Sequence, residues 1–176
     1  MKRKDVVLRF ALLIGLAVLA YALNPTFGKL TNLVNVLRQG AILYILTIGM
    51  TLVILTGGID LSVGAVLALS SCVAGLAMKH GASVGTGVLI AVGIGLACGL
   101  ANGLLVSTVN IPPFITTFAM MYFARGLACI SLQGKIMYSF SKAFRFIGTG
   151  DLLGVPMPVI FSLLLLLVFS VVLEYT

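Results

Sequence analysis

The chain has few charged residues and no tryptophan. Asp, Glu, Lys and Arg make up 9% of its 176 residues, against roughly 25% in an ordinary soluble domain. By contrast, 61% of the residues are hydrophobic, and the mean hydropathy is +1.24. This composition excludes a typical soluble domain. Glycine occurs 20 times, which suits helices that approach each other closely in lipid.

Motifs for catalysis, metal binding and nucleotide binding are also missing. No GxxxxGK[ST] phosphate loop occurs, because Gly28-Lys29 and Gly134-Lys135 lack its glycine spacing and its hydroxyl residue. The three cysteines form no CxxC pair and lie in apolar runs, which predicts neither a disulfide framework nor a metal site. The single histidine, His80, has no evident serine or carboxylate constellation. We therefore predict no enzyme activity in this chain, no metal and no cofactor.

The formal net charge of +7 does not indicate nucleic-acid binding. The basic residues are scattered through polar loops and the N-terminal cluster at residues 1–4, and they do not form one stripe. The favoured interpretation is that these charges lie at a membrane surface.

Six apolar stretches are long enough to cross a membrane. A hydrocarbon core about 30 Å thick requires ~17 to 25 helical residues. Because the bilayer core holds no water, each span must satisfy its own backbone hydrogen bonds, which favours helices. We predict an all-α fold, a polytopic transmembrane bundle. The predicted spans lie near residues 6–23, 40–56, 61–78, 83–106, 114–133 and 155–173.

The first span and the orientation leave alternatives open. A basic start followed by an apolar stretch is typical of a cleavable signal peptide, but residues 6–23 exceed the roughly 7 to 15 residues of a signal core, so a retained span is favoured. A cytoplasmic N-terminus places four basic residues inside and six outside. We still predict both ends in the cytoplasm, because the first basic cluster usually dominates. The polar connection over residues 134–154 could hold a short surface helix.

The most informative stretch joins the second and third spans. Residues 56–64 place the carboxylate of Asp60 and the hydroxyls of Thr56 and Ser62 beside two glycines. A charge near hydrocarbon costs at least ~2.5 to 3.5 kcal/mol on insertion scales, so this backbone is expected to face a wet cavity or the protein interior. A simpler alternative, compatible with the first, is that Asp60 caps a helix starting at Leu61.

The segment at residues 55–64, Leu-Thr-Gly-Gly-Ile-Asp-Leu-Ser-Val-Gly, closely resembles the signature of the ribose-type sugar permeases of binding-protein-dependent ABC importers. Members of that family continue well beyond the position that matches Thr176, so residues 1–176 are expected to be the N-terminal portion of a single transmembrane permease domain. The resemblance covers nearly the whole chain and extends through residues 49–54, Asn102-Gly103, 113–115, Arg125-Gly126 and 154–159.

The resemblance implies import of a simple sugar such as ribose across the bacterial cytoplasmic membrane. The expected partners are a periplasmic or extracellular sugar-binding protein, cytoplasmic ATP-binding-cassette ATPase subunits, a second permease subunit in a homodimer, and membrane lipid. Two alternatives stay open. An ion-coupled secondary transporter would use Asp60 as a proton or sodium site, and a structural subunit would conduct nothing.

Arg125 lies about twelve residues into the fifth span, too deep for easy snorkelling. We hypothesise that it pairs with Asp60 or borders the pathway; the alternative is that it clamps loop carbonyls. Phe114, Phe118 and Tyr122 recur in the same span at a spacing of four. They could stack on a sugar, although packing or lipid contact is the favoured interpretation.

The fourth span carries a ladder of small residues. Gly95, Gly99 and Gly103 predict a tight helix crossing. Beside them Asn102 either bonds across the helix interface, which is favoured, or contacts a sugar. The residues predicted to form the pathway or its gate are Thr56, Gly57, Gly58, Asp60, Ser62, Asn102 and Arg125.

Overall fold

The computed structural model describes residues 3–175, and almost all of the regular structure is helical. The predicted all-α fold is therefore confirmed, with one short hairpin added. The helices are α1 (Arg3–Leu23), α2 (Leu30–Leu55), α3 (Val63–Lys79), α4 (Val84–Ser107), α5 (Pro113–Leu132), α6 (Lys142–Thr149) and α7 (Met157–Glu174), and the strands are β1 (Asp151–Leu152) and β2 (Val155–Pro156).

Five of the helices in the described residues, α1, α2, α4, α5 and α7, are long and apolar enough to cross a membrane. The predicted third span is helical as well, but α3 has 17 residues and is the shorter one. Helix α2 starts ten residues before the predicted span at residue 40. A helix can begin before its apolar stretch does, and the first turns of α2 contain polar residues such as Asn32 and Arg38.

A tight turn joins α1 to α2. Residues Pro25–Gly28 form a short 3-10 helix, and the side chain of Asn24 accepts a hydrogen bond from the Thr26 amide at 2.9 Å. Gly28 lies against the ring of Tyr21, where an added Cβ would come within 2.7 Å of a ring carbon. The turn therefore requires a cap at its start and a residue without a side chain at its end.

One compact unit of the chain comprises residues 46–148 and contains α3, α4 and α5 packed together. Its core is built from Ala65, Leu69, Ala124 and Ala128, and Ala124 is fully buried. Alanine side chains are small, so the backbones of α3 and α5 can approach closely. Small residues have this role at contacts between helices in lipid.

Helices α3 and α5 run side by side in the same direction. Thr117, near the start of α5, has its Oγ1 within hydrogen-bond distance of two carbonyls, that of Pro113 in its own helix at 2.8 Å and that of Ile59, just before α3, at 3.1 Å. At the other end Met137, which follows α5, lies against Gly75 of α3, and an added Cβ there would meet its methyl carbon at 2.7 Å. Both helices therefore begin at one end of the unit, and the loop before α3 lies beside the start of α5.

The other unit comprises residues 1–45 and 149–176. In it β1 and β2 form an antiparallel hairpin, with Asp151 opposite Pro156. Asp151 also forms a salt bridge with Arg38 of α2, with 3.0 Å between Nη2 and Oδ1.

The connection over residues 134–154 contains α6, so the short surface helix expected there is confirmed.

Candidate functional site

Thr56, Gly57 and Gly58 end helix α2. Gly57 has φ +71°, a left-handed conformation that favours glycine. The amides of Gly57 and Gly58 donate to the carbonyls of Ile54 and Val53 at 2.9 Å each, and Thr56 Oγ1 also donates to Val53 at 2.8 Å. These bonds satisfy the last carbonyls of the helix. The three residues thus shape the loop. The Thr56 hydroxyl and the amides of Gly57 and Gly58 donate their hydrogen bonds to backbone carbonyls of α2.

Asp60 organises the approach to α3. Its Oδ1 accepts two hydrogen bonds from Ser62, one from the backbone amide at 2.7 Å and one from Oγ at 2.6 Å. Helix α3 begins at Val63, so the predicted helix start at Leu61 was two residues early. Asp60 therefore accepts a hydrogen bond from the amide of Ser62, the residue just before the helix. The predicted cap was right in making Asp60 an acceptor for a backbone amide, but it placed the helix start at the wrong residue.

Asn102 of α4 extends this contact into a chain of hydrogen bonds. Its Nδ2 donates to Ser62 Oγ at 3.2 Å, and both side chains are buried. The bond predicted across a helix interface is therefore confirmed, since it joins α4 to the start of α3. The other amide atom, Oδ1, is buried without a hydrogen-bond partner among the described residues. A buried acceptor without a hydrogen bond lowers the stability of the folded protein unless water or another group donates to it.

The same three polar residues, Asp60, Ser62 and Asn102, line a cavity of about 410 Å³. The rest of its wall consists of apolar side chains and glycines of α3 and α4, the hydroxyl residues Ser70 and Ser71 of α3, and one residue of α2, Leu46. Small-molecule sites are typically mostly apolar cavities of about 300 to 1,000 Å³ with a few polar groups that orient the ligand. The cavity has the size and lining of such a site.

Arg125 does not join this group. Its side chain is exposed on α5. The salt bridge found among the described side chains joins Arg38 to Asp151 and does not involve Arg125. The hypothesis that Arg125 pairs with Asp60 was wrong. The physical reason is the direction of α5: its first turns lie beside Ile59, and Arg125 comes eight residues after Thr117, roughly 12 Å further along the helix axis.

The glycine ladder of α4 is open within the described chain. A Cβ added at Gly95, Gly99 or Gly103 would meet no atom within 4 Å, and the three glycines line a groove of about 550 Å³. Among the described residues no helix crosses α4 at this ladder, so the predicted tight crossing stays a prediction. The close packing of α3 with α5 depends on alanines, which the prediction had not used.

Two neighbouring threonines near the start of α5 were missed. Thr117 is buried and bonds the Ile59 carbonyl, and Thr116 is buried with an Oγ1 that has no partner among the described residues. The signal was present, because two hydroxyls occur together in an otherwise apolar span. Periodicity alone did not show which helix they face.

Helices long enough to cross a membrane, together with a mostly apolar cavity that carries a few polar groups, are typical of a multi-pass membrane transport protein. The comparison with known families agrees. The chain belongs to the family described as branched-chain amino acid transport system / permease component, which matches residues 32–176. The predicted membership of a permease family and the predicted multi-pass location in the bacterial cytoplasmic membrane are thereby confirmed.

Several relatives carry more specific names. The chain is 41% identical over 136 residues to the galactofuranose transporter permease protein of Escherichia coli K12, covering 77% of this chain and 40% of the relative. It is 38% identical over 163 residues to the ribose import permease protein of Bacillus subtilis 168, covering 92% and 51%. With the fructose import permease protein of Bifidobacterium longum it shares 34% over 163 residues, covering 90% and 46%.

The chain thus spans about half the length of the curated relatives it matches. No solved structure matches it.

Proposed function

We propose that the chain forms part of the membrane-spanning permease of an ATP-driven importer that moves a monosaccharide into the bacterial cell. The observation that carries the proposal is the hydrogen-bond chain from Asn102 through Ser62 to Asp60, set at a cavity among apolar helices. The names of the sugar-permease relatives support the choice of substrate class.

The polar groups at the cavity suit a neutral solute rich in hydroxyls. Asp60 lines the cavity and uses one carboxylate oxygen, Oδ1, for both of its bonds to Ser62. A sugar hydroxyl can donate to the carboxylate, while the buried Asn102 holds Ser62 in place from the other side. Few contacts of this kind hold a solute weakly, as transport requires, because a solute that enters must also leave.

The loop before α3 takes a second role in this proposal. Thr56, Gly57 and Gly58 form the turn that ends α2 and leads to Asp60 and Ser62 at the cavity. A gate at this place would move as one piece with the end of α2, because the turn is fixed by backbone hydrogen bonds.

The proposed energy source and partners are those that the resemblance to sugar permeases of ABC importers implies, and the absence of a phosphate loop agrees with them. The chain has no phosphate loop, so ATP hydrolysis is assigned to cytoplasmic ATP-binding-cassette subunits. Tight sugar binding is assigned to a soluble sugar-binding protein outside the membrane, and a second permease subunit completes the conduit as a homodimer.

The test is reconstitution of the complete permease that contains this sequence with its ATPase and binding protein in proteoliposomes. Uptake of labelled ribose, galactose and fructose is measured with and without ATP, and labelled leucine serves as the control solute because the family description names branched-chain amino acids. We expect uptake of one sugar that requires ATP. Uptake driven by a proton or sodium gradient without nucleotide would establish the secondary transporter, and uptake of leucine alone would overturn the substrate class.

A further inference from the structure

One face of α5 combines aromatic rings, a charge and a thiol, all exposed. Successive members are separated by four, four, three and four residues, which places them on one side of a helix. The face that packs on α3 is a different one, and it contains Ala124 and Ala128. We call the exposed face the α5 stripe; its members are Phe114, Phe118, Tyr122, Arg125 and Cys129.

The rings of the α5 stripe form a continuous surface. Phe114 and Phe118 are stacked with 5.9 Å between ring centroids, and Phe118 meets Tyr122 edge to face at 5.0 Å. All three side chains stay largely exposed, at 54%, 42% and 59%. The rings therefore contact each other along the helix and leave their outer surfaces free.

Arg125 determines what can cover this surface. It is the thirteenth of the 20 residues of α5, near the middle of a helix long enough to cross the membrane. Among the described side chains it has no ion pair. A guanidinium exposed at that depth is costly in lipid, and such groups in membrane helices face water, a cavity or a polar partner. The α5 stripe is therefore unsuited to lipid contact.

We propose that the α5 stripe is a water-exposed wall of the sugar conduit and touches the solute as it passes. This inference rests on the proposed function. Aromatic faces bind the apolar C–H faces of a sugar ring, and the guanidinium offers five N–H donors to its hydroxyls. The stripe thus combines the two kinds of contact that a monosaccharide needs.

Cys129 provides a test that needs no substitution. Wild-type permease in its complex, reconstituted in proteoliposomes, is treated with a membrane-impermeant cationic thiosulfonate, and each cysteine is followed by peptide mass spectrometry. We expect Cys129 to react readily and the reaction to slow several-fold when the transported sugar and ATP are present. Cys72 and Cys98, which are only partly exposed, should react slowly and without a sugar effect.

A matched control separates the stripe from simple depth in the membrane. In a Cys129→Ser background, Ile130→Cys places a thiol on a neighbouring exposed position, 72% exposed and one residue nearer the helix end. Depth alone would favour its modification, whereas a conduit on the α5 stripe predicts that it reacts more slowly than Cys129 and without sugar protection.

The outcomes distinguish the two proposals. If uptake requires ATP but Cys129 reacts no faster than Ile130→Cys, the α5 stripe is not the conduit wall and the proposed function stands. If Cys129 is reactive and sugar-protected while uptake requires no ATP, the stripe stands and the energy source is wrong. Equal slow reaction of all three native cysteines in an active complex would also overturn the stripe.

Discussion

Asn102 Nδ2 lies 3.2 Å from Ser62 Oγ, and this buried bond ties α4 to the loop that precedes α3. Ser62 passes the contact on, because its hydroxyl donates to Asp60 at 2.6 Å. Asp60 and Asn102 lie 42 residues apart in the sequence, and Ser62 links them in one chain of hydrogen bonds. Each residue in this chain fixes the orientation of the next.

Replacing Asn102 with Leu should reduce uptake and destabilise the fold. The substitution removes a hydrogen bond that contributes about 0.5 to 1.5 kcal/mol, and it also removes the group that orients Ser62 beside the cavity. Thermal unfolding in detergent and ATP-dependent uptake are the measurements. Thr108→Val, at the residue that follows α4, is the control, since its hydroxyl is exposed and bonds the Leu104 carbonyl of that helix. Equal uptake by the two variants would contradict a role for Asn102 in transport.

Asp60→Asn and Asp60→Ala should differ in stability. The amide keeps an oxygen that can accept from Ser62, so the Asn variant should unfold close to the wild-type temperature. The Ala variant leaves the Ser62 amide and hydroxyl without this acceptor and should lose about 1 to 3 kcal/mol. In uptake assays the Asn variant should be impaired, because the carboxylate borders the cavity. Full uptake by Asp60→Asn would favour a structural role alone.

Thr117→Val and Thr116→Val form a matched pair at adjacent buried positions. Thr117 shares its hydroxyl proton between the Ile59 carbonyl and the Pro113 carbonyl of its own helix, so its loss should cost about 0.6 kcal/mol, the average for hydrogen bonds between membrane helices. Thr116 Oγ1 has no partner among the described residues, and Val is nearly isosteric, so this change should be neutral or stabilising. Unfolding in denaturant gives both values. A larger loss for Thr116→Val would mean that the helix contact is assigned to the wrong threonine.

Alanine at Gly57 and at Gly126 should act in opposite directions. Gly57 has φ +71°, and a side chain in that conformation costs roughly 1 to 2 kcal/mol. Gly126 lies within α5, where an added Cβ would meet no atom within 4 Å. Alanine there should stabilise the helix by up to about 1 kcal/mol. The melting temperatures of the two variants decide the matter, and a stabilised Gly57→Ala would contradict the left-handed turn.

Much of the architecture could be predicted from the sequence. Apolar length alone located the membrane helices, because the bilayer imposes length and backbone satisfaction on any span. The polar run around Asp60 was also recognisable, since a carboxylate and hydroxyls rarely occur between two apolar runs without a structural or functional reason. Asn102 was identified by the same contrast with its surroundings.

The errors concerned which helices meet. Depth within a span placed Arg125 in the apolar layer, but only the arrangement of α3 and α5 shows that its helix position is remote from Asp60. The ladder at Gly95, Gly99 and Gly103 permits a close crossing, but the pattern of small residues does not show which helix would cross there. Helix pairing depends on three-dimensional packing that a one-dimensional pattern of small and polar residues does not contain.

Helix α3 has a consequence for the lipid around it. Its 17 residues extend about 26 Å at 1.5 Å each, short of a hydrocarbon layer of about 30 Å. A helix that is too short is matched by local thinning of the bilayer or by hydration of its recessed end. We expect the shortfall at the end that begins beside Asp60, because the polar groups of Asp60 and Ser62 line a cavity there that can hold water. In the proposed function the solute would then have less apolar thickness to cross at that point.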